Sequence, residues 1–177
     1  MDMNTHPFAR HKGFTLIELM AVVLIIGTLA AIAIPSYLKT MEIHKAESAA
    51  NMVRMIGTAN KMFKLDQTPN NQYATGSLND SCLTSAACDH SKTDACQLIY
   101  CNYLANESLE GTGYDFVVGQ APSGCSGSGT ITAGAKRCTN TSANKACTSN
   151  TKYGSWAYVI DNTGKITGCG TDIPEVK

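Results

Sequence analysis

The chain has 177 residues, enough for one modest domain, and its 14 basic and 14 acidic side chains cancel. That balance leaves neither a polybasic arm for nucleic acid nor an acidic solvating tail. Charged residues are only 16% of the total, and Gly, Ser, Thr and Asn crowd the region after residue 66, so an apolar N-terminal rod precedes a loop-rich body.

Residues 1–13 are short and polar, with Arg10 and Lys12 just ahead of a hydrophobic run. From Phe14 to Ile34 the one ionisable side chain is Glu18. At 1.5 Å per residue a helix here is about 30 Å long, the thickness of a bilayer hydrocarbon core. The preceding positive charges favour a cytoplasmic N-terminus and an outward-facing body. A rival reading is an ordinary secretory peptide, cut after Ala33 in the A-x-A-like Ala31-Ile32-Ala33, which frees a soluble disulfide-rich binding protein. Glu18 argues against it. A carboxylate in a membrane helix costs up to about 3 kcal/mol and calls for a partner.

Gly27 and Pro35 bracket a segment of lower helix propensity, and Pro35 removes a backbone donor, which predicts a bend. Beyond it Leu38, Met41, Ala49, Val53, Ile56 and Phe63 recur at helical spacing, while Lys39, Glu42, Lys45, Glu47, Arg54, Lys61 and Lys64 fall mostly elsewhere. The pattern predicts an amphipathic helix running to about Asp66, stopped by Thr68-Pro69-Asn70-Asn71. Met52, Met55 and Met62 are expected to fill the core.

Thr68–Gly111 holds turn formers and the apolar Leu98-Ile99-Tyr100, and is expected to be a connecting loop with some helix. Strands are predicted at Tyr114–Val118, weakly around Thr130-Ile131-Thr132, and at Trp156–Ile160. Asp161-Asn162-Thr163-Gly164 supplies a turn into Lys165–Gly168, making a hairpin.

Eight cysteines, Cys82, Cys88, Cys96, Cys101, Cys125, Cys138, Cys147 and Cys169, all lie in the body. No C-x-x-C pair occurs, so a zinc site lacks its usual spacing, and disulfides formed in an oxidising space are expected. The pairing stays open, with Cys125, Cys138, Cys147 and Cys169 expected to pair mostly among themselves. Gly124–Gly129 is glycine-rich but lacks the lysine and strand-to-helix context of a phosphate loop. Asp161–Gly164 lacks the spaced carboxylates of an EF-hand, and His90 beside Asp89 has no nucleophile signature. Neither catalytic residues, nor a metal, nor a cofactor is expected.

Gly13-Phe14-Thr15-Leu16-Ile17-Glu18-Leu19, with Lys12 before it and a membrane-length apolar run after it, resembles the signature of the type IV prepilins. The resemblance covers roughly residues 10–35, and the body matches only in layout. It implies an α+β pilin fold: a long N-terminal helical stem, apolar in its first half, packed on a small antiparallel β-sheet head with disulfide-tied loops. The implied divisions are a cleaved leader at 1–13, a membrane and filament-core helix at 14–34, an amphipathic stem at 35–66 and a head at 67–177. A prepilin peptidase is implied to cut between Gly13 and Phe14 and to methylate the new Phe14 amine. Glu18 is implied to pair with the Phe14 ammonium of a neighbouring subunit, and Gly27–Pro35 to unwind within the filament. The implied function is a structural subunit of a type IV pilus for adhesion, motility or DNA uptake, with a secretion-system pseudopilin as the alternative. Its partners would be further copies of itself in a helical filament, the peptidase and the inner-membrane assembly machinery. Its place would be the inner membrane as precursor and the cell exterior as filament, with no dedicated nucleic-acid site.

Overall fold

A computed structural model of the chain describes residues 13–67, 71–84, 86–109, 112–127, 129–138 and 156–176. It falls into two compact units, one ending at Met41 and the other beginning at Glu42.

The first unit is the leading part of helix α1, which spans Leu16–Asp66. From Leu16 to Ile34 its large apolar side chains are all exposed, Leu16 at 76% and Ile34 at 57%, with Glu18 the one charged residue among them. By length and composition α1 can cross a membrane. Every residue from Gly27 to Pro35 is helical, and Pro35 lies inside α1 instead of ending it. One missing donor removes one rung of the ladder, and the turns on either side carry the helix through.

The second unit is built on the rest of α1. Its buried face is Ala46, Ala49, Ala50, Val53, Ile56, Gly57, Ala59, Asn60 and Phe63. Small residues dominate this stripe because the sheet approaches closely: a Cβ on Gly57 would lie 2.7 Å from Ile160 Cγ2 and 2.9 Å from Thr132 Oγ1. Leu38 and Met41, expected on the inward face, are exposed. Met55 and Met62 are exposed too, and Met52 only packs against the edge of the core, so the methionines do not fill it as expected. Their positions lie one helical step off the stripe that the alanines and Gly57 occupy. At the end of α1, the Gln67 side chain accepts from Gln72 N and donates to the Lys92 carbonyl. Lys64 lies over the Tyr73 ring.

Five antiparallel strands follow in the simple order β1-β2-β3-β4-β5: Gly76–Leu78, Tyr114–Val118, Ile131–Arg137, Trp156–Asp161 and Ile166–Gly170. β2 alternates as the sequence predicts, with Tyr114, Phe116 and Val118 buried. β3 is longer than its apolar letters suggest. Its Ala, Gly and Lys residues are weak strand formers, and pairing on both sides holds them in register. β1, inside the stretch expected to be a loop, is three residues held to β2 through Gly76↔Val118. A four-residue helix α2 at Gln97–Tyr100 takes up the apolar Leu98-Ile99-Tyr100.

All of Trp156–Ile160 in β4 is buried, which needs cover on both faces of the sheet. Ile160 meets α1 at Gly57. On the other face the loop after β2 lies close, since a Cβ on Gly134 would meet Pro122 and one on Gly127 would meet Ile131 and Val159. The glycine-rich segment is therefore a cover for the sheet. The β4–β5 turn closes on Asp161, whose Oδ1 accepts from Thr163 N at 2.8 Å and Lys165 N at 3.0 Å.

Arg137 is 8% exposed and forms a two-pronged ion pair with Glu42 of α1, at 3.0 and 2.7 Å. Its guanidinium lies 4.6 Å from the Trp156 ring centroid, and Trp156 Nε1 donates to Tyr114 Oη at 2.8 Å. These contacts join β2, β3, β4 and α1 at one end of the sheet.

Burial raises the Tyr114 phenol to about 12 and pushes Tyr158 up as well. Both folded values lie above the ordinary tyrosine value of about 10, so the stability tied to these protons is intact below that pH. It is lost as pH climbs through the folded values. Head unfolding, followed by Trp156 fluorescence, is expected to coincide with late tyrosinate absorbance above about pH 10, reaching about 12. Ionisation of all tyrosines well before unfolding would contradict this.

Candidate processing and assembly site

Gly13 and Phe14 lie just before α1, and Glu18 lies in its first turn. Thr15 precedes the first helical residue, and its backbone N–H and Oγ1 both donate to Glu18 Oε2 at 2.9 Å. The Glu18 N–H donates back to Thr15 Oγ1 at 3.3 Å. This is a capping box, in which a Thr and a Glu three residues later satisfy each other's helix-end donors. The carboxylate also sits where the positive end of the helix dipole favours it. The sequence analysis assigned Thr15 no role of its own, although the Thr-x-x-Glu spacing announces this cap.

Phe14 is 89% exposed, and a Cβ on Gly13 would meet nothing within 4 Å. Among the described residues, nothing packs against the Gly13–Phe14 peptide bond on the Gly13 side. Gly27 is equally open, and Pro35 lies further along the same exposed helix. Arg10 and Lys12 lie outside the described residues.

The described cysteines form three bridges: Cys82–Cys96, Cys88–Cys101 and Cys125–Cys169. Cys138 is also disulfide-bonded, and Cys147 lies outside the described residues. The first two bridges interlace over residues 82–101, and the third ties the loop covering the sheet to β5. Sequence spacing could suggest the Cys125–Cys169 grouping but could not choose the interlaced pairing, which depends on how residues 83–101 turn around α2.

The geometry defines an α+β protein with an exposed membrane-length helix, a capped acidic residue at its start and a disulfide-tied antiparallel sheet. Residues 8–34 match the family described as the prokaryotic N-terminal methylation motif. Over 54 residues the chain is 52% identical to the type IV major pilin protein PilA of Myxococcus xanthus, covering 30% of this chain and 24% of that one. It is 40% identical over 57 residues to the type II secretion system core protein G of Pseudomonas aeruginosa, covering 32% and 40%. A fimbrial protein of Pseudomonas aeruginosa is 85% identical over 26 residues, covering 15% and 17%. No solved structure matches. Through its N-terminal segment the chain carries this methylation motif and is similar to type IV pilins and to secretion-system core protein G. It spans about a quarter of the length of the PilA protein and less than half of each core protein G relative it matches.

Proposed function

We propose that the chain is the precursor of a type IV pilus subunit, cut between Gly13 and Phe14, methylated on the new Phe14 amine, and polymerised through α1 into an extracellular filament. The observation that carries this reading is the joint presence of the methylation motif at residues 8–34 and, from Phe14 to Ile34, an exposed apolar run whose one ionisable side chain is Glu18. An apolar surface of that length is tolerated in two settings, a bilayer and a protein-lined core, and a filament subunit needs both in turn. Glu18 pairs in the filament with the Phe14 ammonium of the next subunit, because a lone charge in an apolar core is costly. Gly27–Pro35 is the segment that unwinds during assembly, its helix propensity being lowest there. The partners are further copies of the chain, the prepilin peptidase and the inner-membrane assembly machinery. The role is structural, with the head displayed for adhesion, motility or DNA uptake.

The likeness to several core protein G relatives supports a second reading, a pseudopilin whose short filament stays within the envelope. One experiment separates the readings: intact mass and N-terminal sequence of the protein recovered by shearing cells. A chain starting at methylated Phe14 in the sheared fraction, lighter by two hydrogens per bridge, is the expected result. The same processed chain confined to the envelope would favour the pseudopilin. A soluble chain starting at Ile34 would overturn both.

A further inference from the structure

Among the three described bridges, Cys88–Cys101 alone has an exposed cysteine and a histidine at its sulphur. Cys88 and His90 are exposed and Cys101 is half-buried, whereas Cys82 is fully buried and Cys96, Cys125 and Cys169 are half-buried. His90 Nε2 lies 3.2 Å from Cys88 Sγ. The ring is held there by packing: it stacks on Phe63 at 6.2 Å between centroids and meets Tyr103 edge-on at 6.4 Å. The two sulphurs and the imidazole lie within 4.8 Å of one another. His44, the other histidine among the described residues, lies beside Glu47 instead.

Thiol–disulfide exchange is limited by how well the leaving sulphur bears negative charge and by access to the sulphur attacked. The His90 Nε2 beside Cys88 Sγ, in the tautomer that carries a proton there, addresses the first, and Cys101, the residue attacked, is only half-buried and so reachable. We propose that Cys88–Cys101 is a thiol-exchange site of the head, at which a thiolate attacks Cys101 Sγ and His90 assists departure of the Cys88 sulphur. In the step, a new bond forms between the incoming sulphur and Cys101 Sγ. The Cys88–Cys101 bond breaks and its electron pair passes to Cys88. That sulphur takes the Nε2 proton of His90 and becomes a thiol. The proton released when the incoming thiol ionised returns to the ring, so one thiol and one disulfide give one mixed disulfide and one thiol. A second thiol can release Cys101 by attacking the incoming sulphur, leaving both cysteines reduced and the added thiols joined. The reaction partner is thus a thiol, whether a small molecule or a dithiol protein.

The fold permits this opening. Cys82–Cys96 interlaces with Cys88–Cys101, so the same segment stays tied when the exposed bridge is open. Leu98 and Ile99, which anchor the segment in the core, are untouched.

The test treats the oxidised full-length protein in detergent with excess reduced glutathione, quenches with an alkylating reagent, and maps each cysteine by peptide mass. Cys88–Cys101 is expected to open first, with the glutathione adduct on Cys101 and the alkyl group on Cys88. His90→Phe keeps the ring packing without the nitrogen and should slow this bridge by about tenfold, below the hundredfold of an enclosed acid because the ring is exposed. His90→Gln should slow it likewise without adding apolar surface. The rate at Cys125–Cys169 should stay unchanged in both variants and serves as the control for folding. Equal rates at all bridges, an adduct on Cys88, or an unchanged rate in both His90 variants would overturn the proposal.

Discussion

Replacing Asn60 with leucine is expected to lower the stability of the head by about 3 kcal/mol. Asn60 is completely buried on α1 and holds three backbone groups. Its Nδ2 donates to the Ala74 carbonyl at 3.1 Å and the Thr132 carbonyl at 2.9 Å, while its Oδ1 accepts from Ala74 N at 2.8 Å. Leucine keeps the branching of asparagine and is somewhat larger, so no cavity opens and the main loss comes from polar groups left dry. Each such group costs about 1–3 kcal/mol, but the Thr132 carbonyl also accepts from Gly119 N and is partly spared. Ala74 bears the damage, and with it the approach to β1. Urea unfolding of the full-length chain, read from its single tryptophan in β4, measures the effect. A midpoint within error of the parent would show that Asn60 is not the joint between helix and sheet.

Glu18→Ala is expected to leave the precursor inserted and processed yet reduce sheared filament by more than about a hundredfold, as stranding one charge of a buried pair costs about 3 kcal/mol. The capping box makes a second variant informative. Glu18→Gln retains a carbonyl oxygen for the Thr15 N–H and Oγ1, so the helix end stays largely capped, but it carries no charge. If pairing with the Phe14 ammonium is what matters, glutamine fails as alanine does. If capping is what matters, glutamine restores filaments, and the charge-pairing reading falls. Comparing the membrane-bound and sheared fractions by immunoblot distinguishes the two.

Much of this architecture could be read in the letters because it rests on periodicity and length. The apolar run, the end of α1 at Asp66, β2 and the β4–β5 hairpin each follow from local patterns that packing did not override. The misreadings share a physical cause. Met55 and Met62 look like core residues by hydrophobicity, yet the core side of α1 had to be narrow, so alanine and Gly57 occupy it. β1 and most of β3 have weak strand composition and exist through pairing with neighbours distant in sequence. Asn60 and Arg137, polar residues that organise the interior, carry no sequence mark separating them from solvated ones. At the candidate site the leading Gly13-Phe14 and Glu18 were legible as a motif. The role of Thr15 emerged from hydrogen bonds.

The bridges also bear on what happens when the chain is pulled. An unbridged polypeptide under tension pays out about 3.4 Å for each residue it releases. The Cys125–Cys169 bridge removes 44 residues from that reserve, about 150 Å of slack. The interlaced pair withholds the segment from Cys82 to Cys101 as well, and either of its two links alone still holds back most of it. Force entering along α1 and leaving near the C-terminus passes across these sulphur–sulphur bonds within residues 82–101 and 125–169, while β1 and β2 lie outside them and are held by their hydrogen bonds. Under tension the head can therefore lengthen only through the segments outside these bridges, chiefly residues 67–81 and 102–124.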